Sequence, residues 1–159
     1  MSLRLRSDAL EEGGFMPERY VHSGGNVAPP LDWDGAPPGV AEFVVTCEDL
    51  DATDAPDATA AGVGVAVGGR PFLHWSVTGL EGDLDGIGEG EDVEGTRYAV
   101  NGFDNAGYDG PEPPPGETHR YRFTVTAVSS PIEPDAGDVR DVMPARALDS
   151  ATLTVRYSG

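Results

Sequence analysis

The chain has 159 residues, enough for one domain with a sizeable core, and 38 % of them are hydrophobic. Its 28 Asp and Glu stand against 10 basic residues, all of them Arg, for a formal net charge of −18. That surplus repels phosphate backbones and anionic bilayers, which excludes nucleic acid and membrane surfaces as expected partners. Acidity on this scale without any Lys points to work in concentrated salt, where the Debye length falls to roughly 3 Å at 1 M and self-repulsion is screened.

In chain order, the first predicted strand is "LRLRS" (3–7). The N-terminal residues around it lack the apolar core of a signal peptide, and no run approaches the ~20 apolar residues of a membrane span. A cytoplasmic location without membrane insertion is therefore expected. The next strand is "EFVVTC" (42–47), and it ends on the only cysteine, Cys47. No internal disulfide is possible, and Cys47 reads as a small buried hydrophobe. "VGVAV" (63–67), "FLHWSVT" (72–78), "TRYAV" (96–100), "YRFTVTAV" (121–128) and "TLTVRY" (152–157) complete the predicted strands. One segment, "DAGDVRDVMPARAL" (135–148), reads as helix with Val139, Val142 and Met143 on one face and Pro144 cutting or kinking it. The stretches 48–62, 79–95 and 101–118 read as loops. No repeat or composition shift divides the chain, so 1–159 is taken as a single domain. Short strands separated by 22 Gly and 14 Pro predict an all-β fold with minor α content, an antiparallel sandwich or barrel.

Three polar groupings interrupt this apolar pattern. Asp49 and Asp51 lie two apart after an apolar strand, so extended geometry aims both carboxylates to one side. His74 is a polar residue inside an otherwise apolar strand. His119 and Tyr121 share a face while Arg120 points the other way, and they follow the stiff run "GPEPPPG" (110–116), which can be neither helix nor central strand. Taken singly, each has a structural reading: a turn-and-cap pair, a satisfied core histidine, a core tyrosine and a rigid loop.

Taken together, "FMPERYVHSGGNVAPPLDWDGAPPGV", "CEDLDA", "HWSVTGL" and "YDGPEPPPGETHRYRFTV" resemble the phosphatidylethanolamine-binding protein family, and in particular its prokaryotic, Raf kinase inhibitor-like branch. The family pattern runs N-x-S-P-P-L-x-W-x-G-x-P, E-D-P-D-A-P, H-W and G-P-x-P-P-x-G-x-H-R-Y, and the resemblance covers about residues 13 to 128. It implies a two-sheet antiparallel, Greek-key-like β-sandwich with a short helix near the C-terminus and a small pocket at one end. Carried over position by position, the implied ligand-binding residues are Asp49, His74, Gly110, Pro111, His119 and Tyr121, with Asp51 close behind. One departure stands out: where the family has D-A-P, usually with a cis proline, this chain has Asp51-Ala52-Thr53. A cis bond there would cost about 3 kcal/mol, so a trans bond is expected. A shifted match onto Asp54-Ala55-Pro56 would lose the first Asp, and the segment 54–70 is hard to match at all.

The resemblance implies a module that binds a small anion such as phosphate, a phosphomonoester or a carboxylate. It needs no cofactor and no metal, performs no catalytic turnover, forms a homodimer, and is open to a regulatory role through a protein partner that the residues do not identify. Imidazole N–H groups, the Tyr121 hydroxyl and loop backbone N–H groups would donate to the anion, with Asp49 holding one imidazole's tautomer. One rival is a hydrolase or zinc enzyme using His74, His119 and Asp49; against it, there is no G-x-S-x-G and no H-x-x-x-H. A second rival is a protein-interaction scaffold with a vestigial pocket. His22 is assigned no role. If the acidity is an adaptation to salt, the melting temperature should climb steeply between low and molar KCl; a flat profile in a thermal scan across that range would exclude it.

Overall fold

The computed structural model describes residues 2–53 and 70–159. Eight strands are placed: β1 (Arg4–Arg6), β2 (Leu31–Asp34), β3 (Glu42–Thr53), β4 (Pro71–Glu81), β5 (Gly86–Ile87), β6 (Arg97–Tyr98), β7 (Thr118–Val128) and β8 (Ala147–Ser158). They form two sheets, a three-stranded one in the order β1-β2-β5 and a five-stranded one in the order β6-β4-β3-β7-β8. Every pairing between these strands is antiparallel. This is the mostly-β, two-sheet architecture expected from the sequence.

Alternation along the strands builds the core. Phe43, Val45 and Cys47 of β3 and Phe123, Val125 and Ala127 of β7 join Trp75 and Val77 of β4 and Leu153 and Val155 of β8. They pack with Leu5, Leu31, Trp33 and Ile87 of the small sheet. The intervening residues of the large sheet face the other way, where Val44 and Val128 meet Ile132 and Val139 in a second, smaller cluster. Two-residue periodicity thus separates two apolar layers across one sheet.

Several elements differ from the sequence reading. The helix expected over 135–148 is one turn, Val139–Val142. The Asp138 side chain caps it by accepting from the Arg140 N–H at 2.9 Å, and the turn ends before Pro144, leaving Ala147 onward free to pair with β7. Val139, Val142 and Met143 do lie together, against the smaller cluster. β3 runs to Thr53, six residues beyond the predicted end at Cys47. Of "TRYAV" only Arg97–Tyr98 is strand, and Val100 makes an isolated bridge to Ala106. β5 lies in the stretch 79–95 read as loop, and β2 in a stretch to which no strand was assigned. The strand expected at 63–67, and the alternative match at Asp54-Ala55-Pro56, fall outside the described residues. Among the described residues no peptide bond is cis, the Ala52–Thr53 bond included.

The two layers predict contrasting costs for two phenylalanines. Phe43 is 1 % exposed, and Phe43→Ala should destabilise the fold by about 3–5 kcal/mol. Phe15 is 59 % exposed under the Arg156 guanidinium, 4.5 Å from its ring centre, and Phe15→Ala should cost no more than about 1 kcal/mol. Urea unfolding in molar KCl measures both, and equal losses would contradict this layering.

Candidate functional site

The inward rows of β3 and β7 are apolar through most of their length and turn polar together at one end. Cys47 pairs with Phe123, and the next inward pair is Asp49 with Tyr121; His119 follows on β7. On the other side of β3, Asp49 pairs with Phe72 of β4, two residues before His74. Sheet register alone therefore gathers Asp49, His74, His119 and Tyr121, and all are buried: 4 %, 3 %, 6 % and 0 % exposed respectively. The His74 and Tyr121 rings meet edge-on at 5.3 Å, and those of His119 and Tyr121 stack at 6.5 Å.

His119 Nδ1 donates to Asp49 Oδ2 at 2.6 Å, and Nε2 donates to Glu117 Oε1 at 2.8 Å. Burial opposes charging this ring, but the hydrogen bonds and charges of Asp49 and Glu117 outweigh it and hold the pKa above the usual histidine value. His74 behaves oppositely. Its Nδ1 lies 2.7 Å from the Asp109 carbonyl oxygen, which can only accept, so Nδ1 carries the proton. Burial depresses its pKa despite that carbonyl and the nearby carboxylates, so the neutral ring presents a lone pair at Nε2. The expectation that both imidazoles offer N–H groups to an anion thus fails for neutral His74, whose one N–H is already taken.

Burial, then the charge of Asp49 and the approach of its carboxylate to the hydroxyl, push the Tyr121 phenol far above its usual value, while the Glu112 backbone N–H acts in the other direction. The hydroxyl makes no hydrogen bond of acceptable geometry among the described residues.

The proline loop is pinned from both sides. Asp109 N–H donates to the His74 carbonyl at 3.1 Å, and the Pro111 carbonyl accepts from His22 N–H at 3.1 Å. Gly110 N–H donates to Asn26 Oδ1 at 2.7 Å, so the Gly110 amide is not a free donor for an anion either. A β-carbon at Gly110 would run into the Tyr20 carbonyl oxygen, so glycine alone permits this approach.

Asp51 does not join the group. Between the Asp49↔Phe72 and Thr53↔Pro71 pairs, β3 carries three extra residues; this bulge breaks the two-residue alternation that predicted a shared direction. Asp51 instead accepts from Arg120 N–H at 2.8 Å, Nε at 3.0 Å and Nη2 at 2.8 Å, which holds its carboxyl below the usual range. Its own N–H donates to Asp49 Oδ1 at 2.8 Å and so steadies the buried carboxylate.

The sequence reading missed several supporting residues. Asp109 accepts from the side-chain amides of Asn26, Asn101 and Asn105 at 3.0, 2.9 and 2.8 Å. Burial raises its pKa, but these amides and His22 together hold it low. Phe103 packs its ring against His74 at 5.4 Å and His22 at 5.0 Å, and His22 Nδ1 lies 3.0 Å from Glu112 Oε2. His22, assigned no role, thus borders the site. Glu117 was legible in principle: 117, 119 and 121 share one parity. Among the described residues, no group of three His, Cys, Asp or Glu side chains has the arrangement of a metal site.

The family model for phosphatidylethanolamine-binding proteins matches residues 6–158. The UPF0098 protein YbhB of Escherichia coli is 35 % identical over 172 aligned positions, covering 98 % of this chain and 100 % of that protein. A UPF0098 protein of Methanothermobacter thermautotrophicus is 29 % identical over 98 % of both. The crystal structure of Escherichia coli YbcL, presented as a new member of the mammalian PEBP family, matches with a TM-score of 0.84 at 25 % identity, covering 100 % of this chain and 99 % of that one.

The two buried histidines should titrate apart. In a side-chain NMR titration His119 should lie above ~6.5 and His74 below it, and Asp49→Asn should lower His119. Stability from His119 is fully present below the unfolded value of ~6.5 and is lost as pH rises through its raised folded pKa. That from His74 is present above ~6.5 and is lost as pH falls through its depressed one. Coincident titrations near the usual histidine value would contradict the assigned hydrogen bonds.

Proposed function

The chain belongs to the phosphatidylethanolamine-binding protein family, and on that premise we propose that it is a binding module for a small oxyanion, phosphate or a phosphomonoester, without catalytic turnover. The observation that carries this reading is the Tyr121 hydroxyl, fully buried and without a hydrogen-bond partner among the described residues. A buried unpaired hydroxyl costs on the order of 1–3 kcal/mol, and an acceptor oxygen from a ligand removes that cost. Beside it, His119 sits with a raised pKa and supplies positive charge within a chain of net charge −18. An imidazolium and a phenol are donors suited to an oxyanion, and charge-assisted bonds are the stronger kind.

A zinc enzyme is supported less well, because among the described residues His74, His119 and Asp49 do not form a group of three with the arrangement of a metal site. The same reading has the module act in the cytoplasm as a homodimer; residues 13–16 already bond to the outer side of β8, whereas β6, the other outer strand of the large sheet, leaves an edge that a second copy could cover. No helix among the described residues is long and apolar enough to cross a membrane.

Phosphate titrated calorimetrically in molar KCl tests the proposal. Binding should weaken as pH rises through the raised His119 pKa, because the neutral ring loses one donor and its charge. Tyr121→Phe and His119→Ala should each cost on the order of 1–3 kcal/mol of binding. Tight zinc binding with no phosphate binding would favour the enzyme reading instead.

A further inference from the structure

Glu117 stands between the solvent and the one charged donor of the site. Its Oε1 accepts from His119 Nε2 at 2.8 Å, while its side chain remains 56 % exposed and His119 is only 8 % exposed at the side chain. The other ring nitrogen is held by the buried Asp49. One imidazolium charge thus faces two carboxylates, and the outer one occupies the position from which an incoming oxygen would reach Nε2.

The backbone of Glu117 is fixed on both sides. Its N–H donates to the Pro114 carbonyl at 3.1 Å, and its carbonyl accepts from Gly159 N–H at 2.9 Å. Leaving His119 therefore requires only rotation of side-chain torsions toward solvent, with no loop movement. No other polar partner of the Glu117 carboxylate is described, so the carboxylate is tied to the site by this one bond.

We propose that Glu117 is a built-in competitor of the anionic ligand: its carboxylate stands in for a ligand oxygen on His119 Nε2 in the free protein and swings out when an oxyanion binds. This rests on the oxyanion reading above and adds a specificity-determining residue to it. Any ligand must outcompete a tethered carboxylate, which always sits at high local concentration. A dianionic phosphate or phosphomonoester does so through stronger charge-assisted bonds, whereas a monocarboxylate merely exchanges like for like. The site is thereby biased toward phosphoryl groups over carboxylic acids of similar size.

Glu117→Gln keeps the shape and removes the charge. It should bind inorganic phosphate and glycerol 3-phosphate on the order of tenfold more tightly than the native chain, and should narrow the preference for phosphate over acetate. It should also lower the His119 pKa in ligand-free protein by NMR. Asp104→Asn, which removes an exposed carboxylate from the loop bearing Phe103, should change neither affinity nor preference and so controls for general charge. Native protein that binds phosphate, with Glu117→Gln binding no tighter, would overturn the competitor role and leave the oxyanion reading intact. An equal gain from both variants would likewise overturn it, as a long-range charge effect. No phosphate binding to any of the three, with a lowered His119 pKa in Glu117→Gln, would overturn the oxyanion reading and this inference with it.

Discussion

The register between β3 and β7 is the constraint on which the site depends. Asp49 opposes Tyr121 because Cys47 opposes Phe123, Val45 opposes Val125 and Phe43 opposes Ala127. Those inner pairs are apolar and almost wholly buried, so a slip of one residue would turn every one of them to the wrong face. The energy that fixes the polar end is thus supplied by the apolar middle. The site residues need not stabilise their own positions, and Tyr121 can keep an unsatisfied hydroxyl because the strand that carries it is held elsewhere.

Around this frame a second layer fixes orientation. Asp109 is its hub: the carbonyl receives His74 Nδ1, the N–H returns to the His74 carbonyl, and the carboxylate gathers three asparagine amides. Through Asn26 the network ties the proline loop to a segment more than 80 residues away in sequence. The Asn26 side chain accepts from Gly110 N–H while donating to Asp109, satisfying two loop groups at once. Loop rigidity here comes from these bonds as much as from proline.

The strands were legible because alternation is a local property: "EFVVTC", "FLHWSVT" and "YRFTVTAV" each carry their buried face in their own residues. The family motifs pointed to Asp49, His74, His119, Tyr121 and the Gly110-Pro111 backbone, residues that the fold brings together. What failed was non-local. Asp51 was misdirected because a bulge of β3 against β4 cannot be read from β3 alone. The helix over 135–148 shrank to one turn because pairing with β7 claims residues from Ala147 onward, and tertiary pairing overrides a periodic pattern. β2 was missed because "LDWD" is short and sits among prolines and glycines, its burial made only by the facing sheet. Asn26 opens the N-x-S-P-P-L match and Asp109 precedes Gly110-Pro111, but neither motif says that the two meet across so long a separation.

The two histidines end in different chemical states although both are buried beside the same tyrosine. The difference lies in the second partner of each ring. His74 gives its only proton to a carbonyl, a neutral acceptor that cannot offset the cost of burying a cation, and so it stays uncharged. His119 meets carboxylates at both nitrogens, and their combined charge more than offsets the same cost. On the oxyanion reading this gives the pocket unlike faces, a cationic donor at His119 and a lone pair at His74 Nε2. A hydrogenphosphate dianion matches both, accepting from His119 and Tyr121 and donating its own O–H to His74. The unlike faces then arise from a carbonyl oxygen on the proline loop, through the tautomer it imposes on His74.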